Sequence, residues 1–455
     1  MTNQMQYQKN IPVSGHYDVI VAGGGWAGIT AACSASRAGA SVLLIERSGF
    51  LGGNGTAALV GPFMPFHVKE QPLVSGIFQE VRDVTVAREG ASGGSRGFDV
   101  EILKDVLNET IIKYGVTPLY QTSVIDVLKK DDRNVKGLVV HNKSGLNFYT
   151  ADYVIDATGD ADIIHYAEGQ YVVGRKEDGL TQAMTKMFKI ANVNIDEVLT
   201  FCRANKEHFM FIEEDILVSI AGFKDIVADY KSRGLYPLPQ DHVFFVTTNR
   251  RDEVLVNTTR VILKSGINGN DITDAEIESL SQAHAIMNLL KQEVPGFQNA
   301  YISTTAPQIG IRETRRIIGD YVLTREDVMY ARKFSDAITH CMYPIDIHNP
   351  KGEGFELTNI PKGEYYDIPY RSLLPADLDN VLVAGRCLSA THSAHSSARI
   401  QATCAGMGEA AGAAAALAKK YGVNTRGIDI AELQRHLKEH GQIIKPDYVQ
   451  RAEVL

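Results

Sequence analysis

The stretch from Tyr17 to Glu46 constrains this chain more than any other. Tyr17-Asp18-Val19-Ile20-Val21-Ala22 is a short, almost continuously apolar strand, and Gly23-Gly24-Gly25-Trp26-Ala27-Gly28 follows at once. A helix of small residues is predicted from about Ile29 to Arg37. Gly39 ends it, and Ser41 to Ile45 forms a second buried strand that finishes at Glu46. A βαβ unit of about thirty residues with G-x-G-x-x-G in register is the dinucleotide fingerprint. Gly23 makes the tight turn, Gly25 lets backbone approach a pyrophosphate, and Gly28 lets the helix lie close on the sheet. The helix N-terminus offers unpaired N–H groups to phosphate. Glu46 is placed to hold ribose hydroxyls. A glycine-rich turn alone would be weak evidence; strand, helix, second strand and acidic residue together are not.

The 455 residues carry 44% hydrophobic and 22% charged residues, a balance that excludes disorder, collagen repeats and coiled coil. The net charge of −8 argues against nucleic acid or an anionic membrane as partner. No basic stretch and apolar core open the chain, and no run approaches a spanning helix. The five cysteines form no Cys-x-x-Cys pair, which disfavours a disulfide framework, a zinc site and an iron–sulfur cluster. The expectation is a cytoplasmic protein with no metal and no membrane span.

Later segments discriminate between dinucleotides. Arg47 to Thr56 includes Gly52, Gly53 and Asn54, which allow close backbone approach to a long cofactor. An amphipathic helix is predicted from Val100 to Tyr114, with Ile102, Leu103, Val106, Leu107 and Ile111 on one face. Strands follow at Val116–Tyr120, Ser123–Lys129, Lys136–His141 and Leu146–Thr150. Tyr153 to Asp156 resumes a buried strand that ends in the turn Ala157-Thr158-Gly159. Near the C-terminus, Asn380 to Ala384 is another strand, ending in Gly385-Arg386. Thr403 to Gly412, with Gly406, Met407 and Gly408, opens a helix of very small residues.

In this order, these signatures resemble the FAD-dependent oxidoreductases of the glutathione-reductase-like superfamily. The resemblance implies FAD, with Ala157, Thr158 and Gly159 closing the first half of its domain and Gly385 contacting it near the end. Arg386 stands where such proteins usually have Asp. It also implies cofactor contacts at Trp26, Ala27, Arg47, Val124 and the start of the small-residue helix. Ile311 to Arg316, Gly319-Asp320-Tyr321, Ile368 to Pro375 and the loop His392 to Arg399 resemble, more narrowly, the bacterial branch labelled xanthan-lyase-associated flavoproteins. A looser similarity to fumarate reductase flavoproteins rests on His395-Ser396-Ser397-Ala398-Arg399, whose Arg would bind substrate carboxylate. Those enzymes often attach FAD through a histidine in the segment that corresponds to Gly52–Gly61; none stands there, so non-covalent FAD is expected.

The fold class expected is α/β: a Rossmann-like FAD domain split in sequence (residues 15–165 and 368–425), an interposed α+β substrate domain (166–367), and a helical tail (426–455). In the interposed part, strands are predicted at His242–Thr248 and Glu253–Val261. Thr273-Asp274-Ala275-Glu276 reads as a capping box opening a helix to Glu293, with Ile277, Leu280, His284, Met287 and Leu290 inward. A strand over Ile309–Ile317 would put Arg312 and Arg316 on one face, with Arg312 as anion anchor and Arg315 and Arg316 paired to acids. His392, His395 and Arg399 are the acid/base and anchoring candidates; His348, Tyr366, Tyr370 and His67 are weaker ones. Asp429–Glu439 is one more helix, with Leu433 and Leu437 inward.

The function expected is hydride transfer between FAD and a small organic substrate; Arg312 and Arg399 would bind one that is anionic. A separate electron acceptor or donor is implied, because only one G-x-G-x-x-G unit is present and no dithiol. The alternatives are reduction of an unsaturated acid and a redox-inactive binding protein of the same fold. A homo-oligomer is compatible with all three.

Overall fold

The computed structural model describes residues 5–90, 96–215, 217–352 and 354–446. The end of the tail read from the sequence, residues 447–455, lies outside them. Strand β1 (Val13–Ala22), helix α1 (Trp26–Arg37) and strand β2 (Val42–Ile45) form the βαβ unit, with Val19 opposite Val42 and Ala22 opposite Ile45. Every residue of β2 is buried, as a parallel strand covered on both faces must be. Thr117–Leu119 adds to the outer edge of β2, and Gly145–Asp156 lies parallel to β1 on the other side.

Gly145–Asp156 is one strand, where the sequence reads as two, because its outer neighbour changes halfway. Its first half pairs antiparallel with Asn134–Asn142, and its last residues pair parallel with Val381–Val383. The Asn380 amide bridges the seam. It accepts from the Val135 N–H at 2.8 Å and donates to the carbonyls of Val135 and Asp152 at 2.8 and 2.9 Å. The result is a seven-stranded sheet of mainly parallel strands, completed by residues from both ends of the chain.

A second, six-stranded antiparallel sheet lies within the interposed segment, from Phe188–Ala191 to Tyr301–Thr305. It has its own core, with Phe188, Phe223, Phe245 and Phe297 fully buried. Val243–Thr247 and Glu253–Val256 form the expected hairpin. The long helix starts earlier than the capping box implied, running Gly269–Glu293 with Asn268 accepting from the N–H groups of Asn270 and Asp271. Its inward face is Ala275, Ser279, Gln282, Ala283, Ile286, Met287 and Leu290. Ile277 and Leu280 are therefore 67% and 41% exposed, and His284 faces solvent rather than the core. Among the described residues no helix is long and apolar enough to cross a membrane.

Helix α1 is packed between the sheet and the Gln401–Tyr421 helix. A Cβ on Gly28 would lie 1.7 Å from the Gly23 carbonyl oxygen; on Gly408 and Gly412 it would lie 1.9 and 2.0 Å from the oxygens of Ala27 and Ala31. The hydroxyl of Thr30 donates across the same contact to the Ala405 carbonyl at 2.7 Å. Gly408→Ala is expected to lower unfolding free energy by about 1–3 kcal/mol through overpacking, measured by urea denaturation of the apoprotein.

Candidate cofactor and substrate clefts

The carboxyl ends of β1, Gly145–Asp156 and Val381–Val383 open on a cleft of about 740 Å³. Fourteen of the sequence-predicted cofactor residues line it: Gly23, Gly25, Trp26, Ala27, Glu46, Arg47, Gly52, Gly53, Asn54, Ala157, Thr158, Gly159, Gly385 and Arg386. Gly23 has φ of +100°, and a Cβ there would meet the Ala157 carbonyl oxygen at 2.4 Å, so the turn admits only glycine. Gly25 differs: it sits in ordinary extended backbone, and its Cβ direction is open save for Gly53 Cα at 3.8 Å. Glu46 accepts from the N–H groups of Gly24 and Ser48, each at 2.6 Å, which fixes the turn while its carboxylate still lines the cleft.

Two helix N-termini point at this cleft without a side-chain cap. Helix α1 has no acidic residue in its first turn, and the second helix begins at Gln401, which itself lines the cleft. Lining residues also carry buried polar atoms with no hydrogen-bond partner: Trp26 Nε1, Arg386 Nη1, Arg399 Nε and Gln401 Oε1. Unsatisfied groups of this kind are costly unless a polar ligand meets them. Open backbone, two uncapped dipoles and orphaned donors fit a pyrophosphate-bearing dinucleotide.

Five predicted cofactor residues lie elsewhere. Gly28 and Gly408 hold helix α1 at close range, and Gly406 faces Thr339, whose Oγ1 would be 2.1 Å from an added Cβ. Met407 is fully buried in the core. Val124 sits opposite Val140 in the antiparallel edge, against the second layer of the sheet core. The sequence run beginning at Thr403 is thus the packed interior of a helix whose cleft-facing residues are Gln401 and Cys404. These two, with Ser48, Gly55, Ala57, Gln308 and Ala384, were not singled out as cofactor contacts; Gln401 follows closely on a short helix, His392–Ala398, where the sequence reads as a loop, and carried no signal of its own.

A second cleft of about 780 Å³ adjoins the first and shares Asn54, Arg386, Arg399 and Gln401 with it. Arg312, Tyr343, Asp346 and His348 line its far side. Residues Ile311–Thr314 form extended chain outside any strand; only Arg315–Ile317 is paired, with Tyr171–Val173. Arg315 is bound to Asp162 and Arg316 to Glu313, leaving Arg312 as the member of the trio that reaches a cleft. One Arg312 nitrogen donates to the Ala183 carbonyl and Thr185 hydroxyl, each at 2.7 Å. Burial, and then the charges of Arg399 and Arg260, push its pKa down to about 9.

His392 and His395 line neither cleft. The Glu313 carboxylate, which also holds Arg316, pairs with His392 Nδ1 at 2.9 Å. His395 is fully buried, its Nε2 donating to the Arg386 carbonyl at 2.9 Å; burial and then Arg316 keep it well below the ordinary histidine range. Tyr366 and Tyr370 are core residues bonded to Ser397 and to the Thr425 carbonyl. His67 packs beside Phe66, outside both clefts. Of the weaker candidates, His348 is the one in the substrate-sized cleft. Arg386, which lines both clefts, pairs with Asp160 at 3.0 Å.

A βαβ fingerprint, a split parallel sheet and a glycine-lined cleft at the strand ends define a flavin-type dinucleotide-binding protein. The chain belongs to the FAD dependent oxidoreductase family, whose model matches residues 18–437. It is an FAD-dependent oxidoreductase, and FAD is its cofactor. It is 28% identical over 188 residues to fumarate reductase (cytochrome) of Shewanella frigidimarina, covering 31% of this chain and 33% of that one. It is 30% identical over 172 residues to thiamine thiazole synthase of Methanococcus aeolicus, covering 36% and 60%. The chain therefore spans less than two thirds of either relative. Among solved structures, a geranylgeranyl bacteriochlorophyll reductase-like protein from Thermoplasma acidophilum aligns at 14% identity over 93% of this chain and 84% of that one, with a TM-score of 0.48.

Two outcomes test the clefts. Gly25→Val is expected to leave apoprotein stability within about 0.5 kcal/mol, as for substitutions into open space, yet to abolish FAD retention, read by flavin fluorescence titration. Burial and then Arg312 push His348 down to about 4 from an ordinary 6.5. The unfolded chain then binds a proton that the folded one does not between those values, so stability falls as pH falls through that window. The slope from this group is at most about 1.4 kcal/mol per pH unit. Urea midpoints from pH 7 down to pH 5 should therefore fall less steeply in His348→Gln than in the parent.

Proposed function

We propose that this enzyme transfers a hydride between non-covalently bound FAD and a small organic anion held in the second cleft, with a separate electron donor or acceptor. The observation that carries this reading is the pair Arg312 and Arg399. Both guanidiniums face one cleft, Arg399 Nε has no hydrogen-bond partner, and Asp346 is the one carboxylate among the lining residues. Cations drawn together with so little compensation call for an anionic ligand, and a guanidinium fork matches a carboxylate.

FAD supplies two-electron hydride chemistry when bound. The chain's own residues supply position. Arg399 and Arg386 stand where the clefts meet, so an anion clamped there has its neighbouring carbon at the cofactor side. The interposed segment, proposed as residues 166–367, contributes Thr185, Met187, Asn257, Arg312, Tyr343 and His348 to the far wall, which keeps bulk water from that side. The absence of histidine between Gly52 and Gly61 supports non-covalent attachment. The buried, unpaired cysteines support a reducing, cytoplasmic location.

A second reading, reduction of a C=C bond in an unsaturated acid, is favoured by the same arginine pair and by the partial match to a fumarate reductase. Anaerobic titration separates them. Bleaching of the oxidised enzyme by hydroxy or amino acids supports the first, and reoxidation of the reduced enzyme by unsaturated acids supports the second. A flavin that responds to neither panel sinks both. Arg312→Ala and Arg399→Ala are each expected to raise KM for the responding anion by roughly 10- to 100-fold, the usual weight of a charge-assisted hydrogen bond. Unchanged KM in both variants would remove the anion-anchor assignment.

A further inference from the structure

His348 is built into the second cleft by an unusual neighbour. Arg260 is 4% exposed and, among the described residues, has no carboxylate partner in its hydrogen bonds. One of its terminal nitrogens donates to the carbonyls of Gly352 and Gly354 at 3.2 and 2.7 Å; the other lies 2.9 Å from His348 Nδ1. A guanidinium has donors and no acceptors. The Nδ1 atom must therefore present its lone pair to Arg260, and the ring proton must reside on Nε2. The His348 backbone N–H donates to the Gln182 side chain at 3.4 Å, and the Arg260 contact is what holds the ring's orientation.

The Nε2–H then points to the side of the cleft where Asp346 and Arg312 stand. Asp346 Oδ2 is 3.6 Å away, beyond hydrogen-bond reach, and already accepts from the Tyr343 hydroxyl at 2.9 Å. Among the described residues the groups facing this ring are thus two arginines, one carboxylate and one phenol, and no acceptor lies within hydrogen-bond distance of Nε2.

Resting on the anionic-substrate reading above, we propose that Arg260 fixes His348 as a single tautomer whose Nε2–H donates to the anion gripped by Arg312 and Arg399. His348 is then a binding residue that orients substrate without exchanging a proton, and Arg260, which acts through it, is a positioning residue. The same arrangement bars His348 from serving as general base: the lone pair a base would use is turned to Arg260, away from the cleft.

The test uses the FAD-loaded protein labelled with ¹⁵N-histidine, with the His348 resonances assigned by their loss in His348→Gln. The expected result is the Nε2–H pattern, with Nδ1 unprotonated, unchanged across neutral pH. An Nδ1–H pattern, or an imidazolium at pH 7, overturns the proposal. Succinate, titrated against flavin absorbance, serves as the anion probe. His348→Gln, which keeps a donor, should bind succinate within a few-fold of the parent. His348→Phe should bind it roughly 10-fold or more weakly, as expected for a lost hydrogen bond to a charge. Equal binding by His348→Phe and the parent overturns the donor role even if the tautomer is as stated. Failure of the parent itself to bind succinate or any other small carboxylate overturns the anion reading and the donor role with it, and the tautomer measurement shows separately whether Arg260 sets the ring.

Discussion

Helix α1 is held where no Cβ would fit. Gly28 meets the Gly23 carbonyl on one side, and Gly408 and Gly412 meet the carbonyls of Ala27 and Ala31 on the other. Close backbone contact of this kind fixes an element to within a fraction of an ångström, since interiors at this density do not yield. The uncapped N-terminus of α1, the turn that precedes it and the cleft they face all inherit that precision. The ion pair of Arg37 with Glu409 at 2.6 Å and the Thr30 bond to Ala405 keep the two helices from sliding. Burial drives the Glu409 carboxyl upward while Arg37 opposes it, so the pair fixes position at an electrostatic cost.

The two clefts divide the chemistry by charge. The cofactor side is lined mainly by glycines, backbone and helix ends, with Arg47, Arg386 and Arg399 as its cations. The far side concentrates guanidiniums, and its one carboxylate, Asp346, is held well below the usual range by Arg399 and the Tyr343 hydroxyl despite its burial. Arg386 and Arg399 belong to both walls, so the charge that greets a substrate is also adjacent to the cofactor.

The first unit was legible because its constraint is local: glycines at 23, 25 and 28 act within a turn and the helix it opens. The third signature misled in detail. A run of small residues reads alike whether backbone must approach a cofactor or another helix, and Gly408 and Gly412 serve the second purpose. His284 and Ile277 were misplaced because the inward face is built partly from Ala275, Ser279, Gln282 and Ala283, small and polar residues that an apolar stripe does not mark. His392 and Arg312 were comparable candidates from sequence; what separates them is Glu313, which takes His392 and Arg316 and leaves Arg312 to the cleft. That choice is tertiary and leaves no periodicity to read.

The Asn380 seam joins partners far apart in the chain: its amide reaches the Asp152 carbonyl across 228 residues. Until that segment leaves the ribosome, the last turns of Gly145–Asp156 have an open edge, and the small-residue helix that covers α1 does not yet exist. The interposed sheet, whose core is drawn from one contiguous stretch, has no such debt and can form while the outer half waits. Assembly of the cofactor cleft is therefore a late, long-range event, of the slow class that high contact order imposes. During synthesis the nascent βαβ unit has neither its seam strand nor its covering helix until the C-terminal segment arrives.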